Sequence, residues 1–366
     1  MRKHWIDNLR WVTVLLVLFY HVFYFYNNKG VFGGVGGFGD YPEVPQYQDV
    51  VMYVLYPWFM PLMFLLAGVS ARYALQKHSD KDWFKARTRK LLVPSTIGLL
   101  VFHWIVGYFN TVVAAREGLF EGIPLVGKYL IMAVSGIGPL WFIQLLWLLC
   151  IVLLLIRLLD TTDKLWEWCG KANSLAIIVI GALLFWAGEQ TMIQEPRPES
   201  LDGLLNLYKP LFYLVPFLLG YFVFSHDKVQ EQVTKMWKPL MSAAVISGLV
   251  LVVTTFGENN TSPQYLGSPL NCFYGWLMCL AMMGWFNASF NHTNAFAGYM
   301  TRSSFGIYVV HYLVIASLGY TMKVYTQLPP WTMYVILTVA VFTLSPLLYE
   351  IIRRIPFVRW CVLGEK

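Results

Sequence analysis

Apolar positions in this chain gather into long runs separated by short polar segments. Ten runs, near 8 to 27, 50 to 71, 91 to 110, 138 to 158, 174 to 190, 210 to 225, 239 to 256, 268 to 287, 304 to 320 and 331 to 352, predict membrane-crossing helices. The fifth, sixth and ninth are short for a span, which predicts tilt, a kink or extension into the flanks. The first run also carries a polar stripe. His21 lies eleven positions after Arg10, and Trp11 to Tyr20 are apolar or aromatic apart from Thr13. At about 100° per residue, eleven steps return to within about 20° of the start, so one helix presents both side chains on one face. Their rise of about 16 Å is roughly half a hydrocarbon core, which sets His21 near mid-membrane when Arg10 is at the surface. An ionisable group at that depth is a functional-site candidate.

The composition agrees with an all-α, polytopic helical bundle. The chain of 366 residues is 57% hydrophobic and 13% charged, with a mean hydropathy of +0.55, and no separate soluble domain fits between the runs. A single membrane domain over 1–366 is expected. With the N-terminus inside, 21 of the 27 Lys and Arg residues fall in cytoplasmic segments, which predicts an even number of spans and both termini cytoplasmic. The net charge of +7 is largely this asymmetry plus attraction to anionic lipid, and calls for no nucleic acid partner. No small-residue cleavage site follows the first run, so it reads as a retained span. Five cysteines, Cys150, Cys169, Cys272, Cys279 and Cys361, form no CxxC pair and read as packing residues.

Several loops are unusual. Gly34, Gly36 and Gly39 formally match GxGxxG, but no strand precedes them, so a flexible, close-packed loop over the membrane face is expected. Residues 111 to 138, with Arg116, Glu117, Glu121 and Lys128 among apolar neighbours, predict an amphipathic or re-entrant helix. Residues 188 to 209 read as an acidic outer loop.

Among groups that could carry chemistry, His21 is first, because a neutral imidazole can take a proton from a hydroxyl at neutral pH. Arg10 can grip phosphate or carboxylate with its guanidinium fork, although Asp7, one turn earlier, is a ready partner. The cytoplasmic stretch from Arg72 to Lys90 holds seven basic residues against Asp80 and Asp82. Arg87 and Lys90 share a helix face there, suited to a polyphosphate at the membrane surface. His103, His311 and Glu350, within or near spans, read first as interhelical hydrogen-bond partners. No HExxH, GxSxG, Walker or paired-carboxylate signature occurs, and no metal is expected.

The segment IDNLRWVTVLLVLFYH at 6 to 21 resembles the first helix of the integral-membrane acyltransferase 3 family, whose spaced Arg and His fall on Arg10 and His21. Further resemblances follow in family order. They are PLMFLLAGVSARYAL at 61 to 75, KARTRKLLVP at 85 to 94, PLWFIQLL at 139 to 146, FYLVPFLLGYFVF at 212 to 224, SSFGIYVVHYL at 303 to 313 and LYEIIRRIPFVRW at 348 to 360. The last are most similar to the glucan succinyltransferase branch. The resemblance implies transfer of an acyl group, acetyl or succinyl, from cytosolic acyl-CoA to a hydroxyl of an envelope or exported carbohydrate. It implies His21 as general base or transient acyl carrier, donor binding by Arg10, Arg72, Arg87 and Lys90, and Asp7, His311 and Glu350 in support. Acyl-CoA enters as a substrate and no permanently bound cofactor is expected. Lys90 stands where the family's RxxR has its second Arg. The expected setting is a bacterial inner membrane, with lipid as a partner and oligomeric state, homo-oligomer included, left open. A transporter or flippase passing a lipid-linked or small polar solute along Arg10 and His21 is the rival reading.

Overall fold

The computed structural model describes residues 3–28, 34–38, 46–113, 120–195 and 201–365, and among them there are helices and no strands. The helices are α1 (His4–Phe25), α2 (Val50–Leu75), α3 (Asp80–Arg87), α4 (Trp104–Val113), α5 (Leu125–Ser135), α6 (Trp141–Leu159), α7 (Lys164–Cys169), α8 (Ser174–Glu189), α9 (Leu201–Tyr208), α10 (Pro210–Phe222), α11 (Asp227–Lys235), α12 (Trp237–Thr255), α13 (Pro263–Leu266), α14 (Pro269–Ser289), α15 (Ala295–Tyr325), α16 (Pro330–Ile352) and α17 (Pro356–Leu363). Among the described residues, seven helical stretches are long and apolar enough to cross a membrane: His4–Phe25, Tyr47–Leu75, Gly138–Leu159, Leu201–Phe222, Trp237–Thr255, Ala295–Tyr325 and Pro330–Ile352. The protein is a multi-pass membrane protein of helices.

The continuous third span expected over 91 to 110 is not one helix. Pro94 offers no N–H and its ring clashes with the preceding turn, so the chain breaks into turns at 93 to 96. Wide π-helical turns, Thr88–Leu92 and Leu99–His103, flank the break before α4 begins. The helix expected between 111 and 138 is α5, which packs on α4; Arg116 and Glu117 lie outside the described residues. Within 188 to 209, where an acidic loop is expected, residues Leu201–Tyr208 form α9, with Leu201, Leu204, Leu205 and Leu207 exposed. Cys150, Cys272, Cys279 and Cys361 are buried, in keeping with packing roles.

Contacts divide the chain into two compact units, each drawn from three separate stretches. The first comprises 1–13, 53–84 and 148–301. In it α14 packs against α8, α11 and α12, and α8 also meets α10. α2 and α10 approach backbone to backbone through reciprocal glycines. A Cβ on Gly68 would stand 2.0 Å from the Phe217 carbonyl oxygen, and one on Gly220 would stand 2.1 Å from that of Leu65. The second unit comprises 14–52, 85–147 and 302–366, and holds His21, Lys90, His103 and His311. Its Gly-rich stretch 34 to 37 is anchored rather than loose, because Lys323 Nζ donates to the carbonyls of Val35 (3.0 Å), Gly36 and Gly37 (2.7 Å). Gly39, the last position of the formal GxGxxG, lies outside the described residues.

Candidate active site

α1 and α15 bring two histidines together in the second unit. His21 Nδ1 and His311 Nε2 are 3.0 Å apart, with ring centroids at 5.0 Å. His311 is fully buried, whereas His21 is only partly covered. The other ring nitrogen of His311, Nδ1, lies against the carbonyl oxygen of Tyr308 one turn back on α15. This contact orders the protons. A carbonyl only accepts, so neutral His311 carries its hydrogen on Nδ1 and leaves Nε2 as an acceptor. His21 Nδ1 facing it is then the donor, and the Val17 carbonyl one turn back on α1 is a second hydrogen-bond partner of the His21 ring. With the hydrogen on Nδ1, neutral His21 keeps its lone pair on Nε2. The rings of Tyr24 and Tyr312 stand edge-on to His21, at 5.9 and 5.4 Å between centroids. Tyr308 is itself held, its hydroxyl donating to the carbonyl of Pro139. His103 is buried and interacts electrostatically with His311, and its Nε2 has no hydrogen-bond partner among the described residues.

The same unit assembles the basic end. Lys90 Nζ bonds Glu365 Oε1 at 2.6 Å and lies 4.5 Å from the centroid of the Phe305 ring. Burial holds the Lys90 ammonium below the usual lysine pKa, with the hydrogen bond to Glu365 acting the other way. Phe305 precedes His311 on α15 by six residues, or about 9 Å of helix. The next residue, Gly306, packs against the Tyr349 ring of α16. Trp147 donates to Thr88 Oγ1 at 3.0 Å, and Gln144 to the Ser95 carbonyl at 2.9 Å. The quoted segments at 85, 139, 303 and 348 thus meet in one unit. Glu350 pairs with Arg353 at 2.7 Å, at the same end of α16 as Tyr349. Arg87 is half-buried at the end of α3.

The first unit holds the other two predicted arginines. Arg10 pairs with Asp7 at 3.2 Å and donates to Ser70 Oγ at 2.6 Å, so the one-turn partnership expected from sequence forms. Arg72 is 5% exposed. Its guanidinium makes two parallel bonds to Asp163, at 2.8 and 3.1 Å, donates to the Tyr221 hydroxyl at 3.2 Å and lies 4.1 Å from the centroid of the Trp166 ring. Arg157 donates to the same hydroxyl at 2.7 Å and pairs with Asp80 at 3.0 Å. Arg72 holds the Asp163 carboxyl below the usual aspartate range.

These segments carry a family assignment. The acyltransferase domain family matches residues 3–350, nearly the whole chain. The chain belongs to the acyltransferase 3 family. It is therefore an acyltransferase embedded in a membrane. Curated relatives include the protein named glucans biosynthesis protein C from Escherichia coli O139:H28, 22% identical over 375 residues, with all of this chain and 95% of the relative covered. The protein of the same name from Shigella boydii serotype 4 is 21% identical over 381 residues, at the same coverage. No solved structure matches this acyltransferase.

Two features escape sequence reading. The His21–His311 pair spans 290 positions, beyond any local periodicity, although Tyr308 and His311 lie within one quoted segment. Glu365 as the partner of Lys90 has no local signal at all.

Proposed function

We propose that this acyltransferase moves an acetyl or succinyl group from cytosolic acyl-CoA to a hydroxyl of an envelope or exported glucan, with His21 as general base. The names of its relatives suggest the glucan. The observation that supports the chemistry is the contact chain from the Tyr308 carbonyl through His311 to His21, which in this reading leaves the lone pair of His21 Nε2 available to accept a proton. In this reading Nε2 takes the proton from the acceptor hydroxyl as its oxygen attacks the thioester carbonyl. The imidazolium formed is stabilised through Nδ1–H by His311, as the orienting member of a catalytic triad stabilises its histidine. Collapse of the tetrahedral intermediate breaks the carbon–sulfur bond, and the proton on Nε2 passes to the departing thiolate. An ester and coenzyme A result.

Donor phosphates are assigned to Arg87 and Lys90, the latter beside Phe305, which lies about 9 Å along α15 from His311. Arg10 and Arg72, in the first unit, are proposed as donor-binding residues on the family resemblance alone. Arg10, Arg72 and Lys90 each already hold a carboxylate, so an incoming phosphate exchanges with Asp7, Asp163 or Glu365. Glu350 supports this end by holding Arg353. The setting assigned is the inner membrane of a bacterium.

Purified protein in lipid nanodiscs, given labelled acyl-CoA and a glucan, should release free coenzyme A and label the glucan. His21→Ala should lower that rate at least 100-fold, the lower end of general-base contributions. Retention of more than a tenth of the activity would rule His21 out as the base. Binding of glucan with no coenzyme A released would favour a transporter.

A further inference from the structure

We infer that Glu365 is a built-in competitor for the donor's anionic end at Lys90, so that the segment following α17 sets how tightly acyl-CoA binds. The inference rests on the reading above, that Lys90 receives a donor phosphate. Lys90 is clamped between two groups of different kind. The Phe305 ring lies under the ammonium at 4.5 Å and cannot leave, since it belongs to α15. The Glu365 carboxylate bonds it at 2.6 Å from a residue just past a helix end.

The backbone aims that carboxylate. Gly364 follows α17 with φ +63°, a left-handed conformation that ends the helix without a Cβ penalty. A Cβ there would stand 2.4 Å from the Arg89 carbonyl oxygen and 2.9 Å from Lys90 Cα, so the turn lies directly on the 89–90 backbone. α17 is seated one turn earlier as well, where the Cys361 carbonyl oxygen would meet a Cβ on Gly98 at 2.9 Å. These contacts hold the Glu365 backbone against its target.

The pair is nonetheless open to exchange. The Lys90 and Glu365 side chains are 31% and 30% exposed, so solvent and a ligand reach both. A phosphate bears more charge and more acceptor oxygens than a carboxylate, and so competes with it for a lysine. While Glu365 occupies Lys90, the donor must first pay that exchange.

The test is equilibrium binding of coenzyme A alone, by titration calorimetry on the full chain in nanodiscs, which needs neither acceptor nor turnover. Glu365→Gln should tighten binding by a factor of about 2 to 5, the size of one half-exposed ion pair. Glu365→Asp, which keeps the charge, should bind more weakly than Glu365→Gln. Lys90→Gln should weaken binding, and adding Glu365→Gln to it should change nothing further. If Lys90→Gln weakens binding but Glu365→Gln leaves it unchanged or weakens it too, Glu365 positions the lysine and the competition is refuted. If Lys90→Gln has no effect on coenzyme A, the donor assignment itself fails, and the competitor with it.

Discussion

His311 never needs to touch a substrate to matter. It is fully buried and its Nε2 faces His21, so in the proposed mechanism its work is to fix which nitrogen of His21 carries the proton. His311→Ala should therefore lower kcat by about 10- to 100-fold, a loss typical of removing an orienting partner, while KM for donor and acceptor stays within about twofold. His311→Gln, which restores an oxygen acceptor, should recover part of the loss. Wild-type kcat in the alanine variant, measured at saturating substrates, would show that His21 needs no orienting group. At this scale the sequence was informative where the relation is local. Arg10, Asp7 and His21 lie within five turns of one helix, so residue spacing alone predicts which share a face and which pair. Arg72 shows the opposite case. It reads as one member of the basic stretch 72 to 90, but its partner Asp163 is 91 positions away, and nothing in the surrounding charge pattern marks that aspartate out.

Elements were legible to the extent that hydropathy determines them. Long apolar runs became helices, because in lipid the backbone must bond within its own segment. The misread element was the third span, where apolar residues on both sides of Pro94 hide a break that the proline's missing N–H imposes. The left-handed backbone of Asp163, φ 55°, at the start of α7 is equally invisible in hydropathy. It places a carboxylate on Arg72 of α2 and so ties two elements of one unit. Because the folded Asp163 carboxyl is held below its usual range by Arg72, its stabilisation is present in full above about pH 4, the unperturbed value. It is lost as pH falls through the lower folded value. Asp163→Asn should be less stable than the parent at neutral pH, and the difference between the two melting temperatures should shrink on acidification below about pH 4. A difference that stays constant down to pH 2 would mean that the pair contributes nothing to acid sensitivity.

For the molecule as a whole, composition and the ordered segments sufficed for class and family, whereas the division into two units did not show in the sequence. Each unit interleaves three stretches, and no linker of Pro, Gly or charge marks a boundary inside α1, α2, α6 or α15. Charge asymmetry does carry a prediction about sidedness. The basic residues cluster on the face read as cytoplasmic, and on that reading the rise of about 16 Å along α1 from Arg10 to His21 puts the histidine near mid-membrane. Donor and acceptor should then arrive by separate routes from opposite faces. Sealed inside-out vesicles with glucan trapped inside and labelled acyl-CoA added outside should form acylated glucan in the lumen. Right-side-out vesicles given the same donor externally should form none, because coenzyme A is too polar to cross the bilayer. Product formed only when both substrates share the cytosolic face would refute the transmembrane route. His21 would then serve a reaction completed on one side, and the acyl group would cross only as part of its finished product.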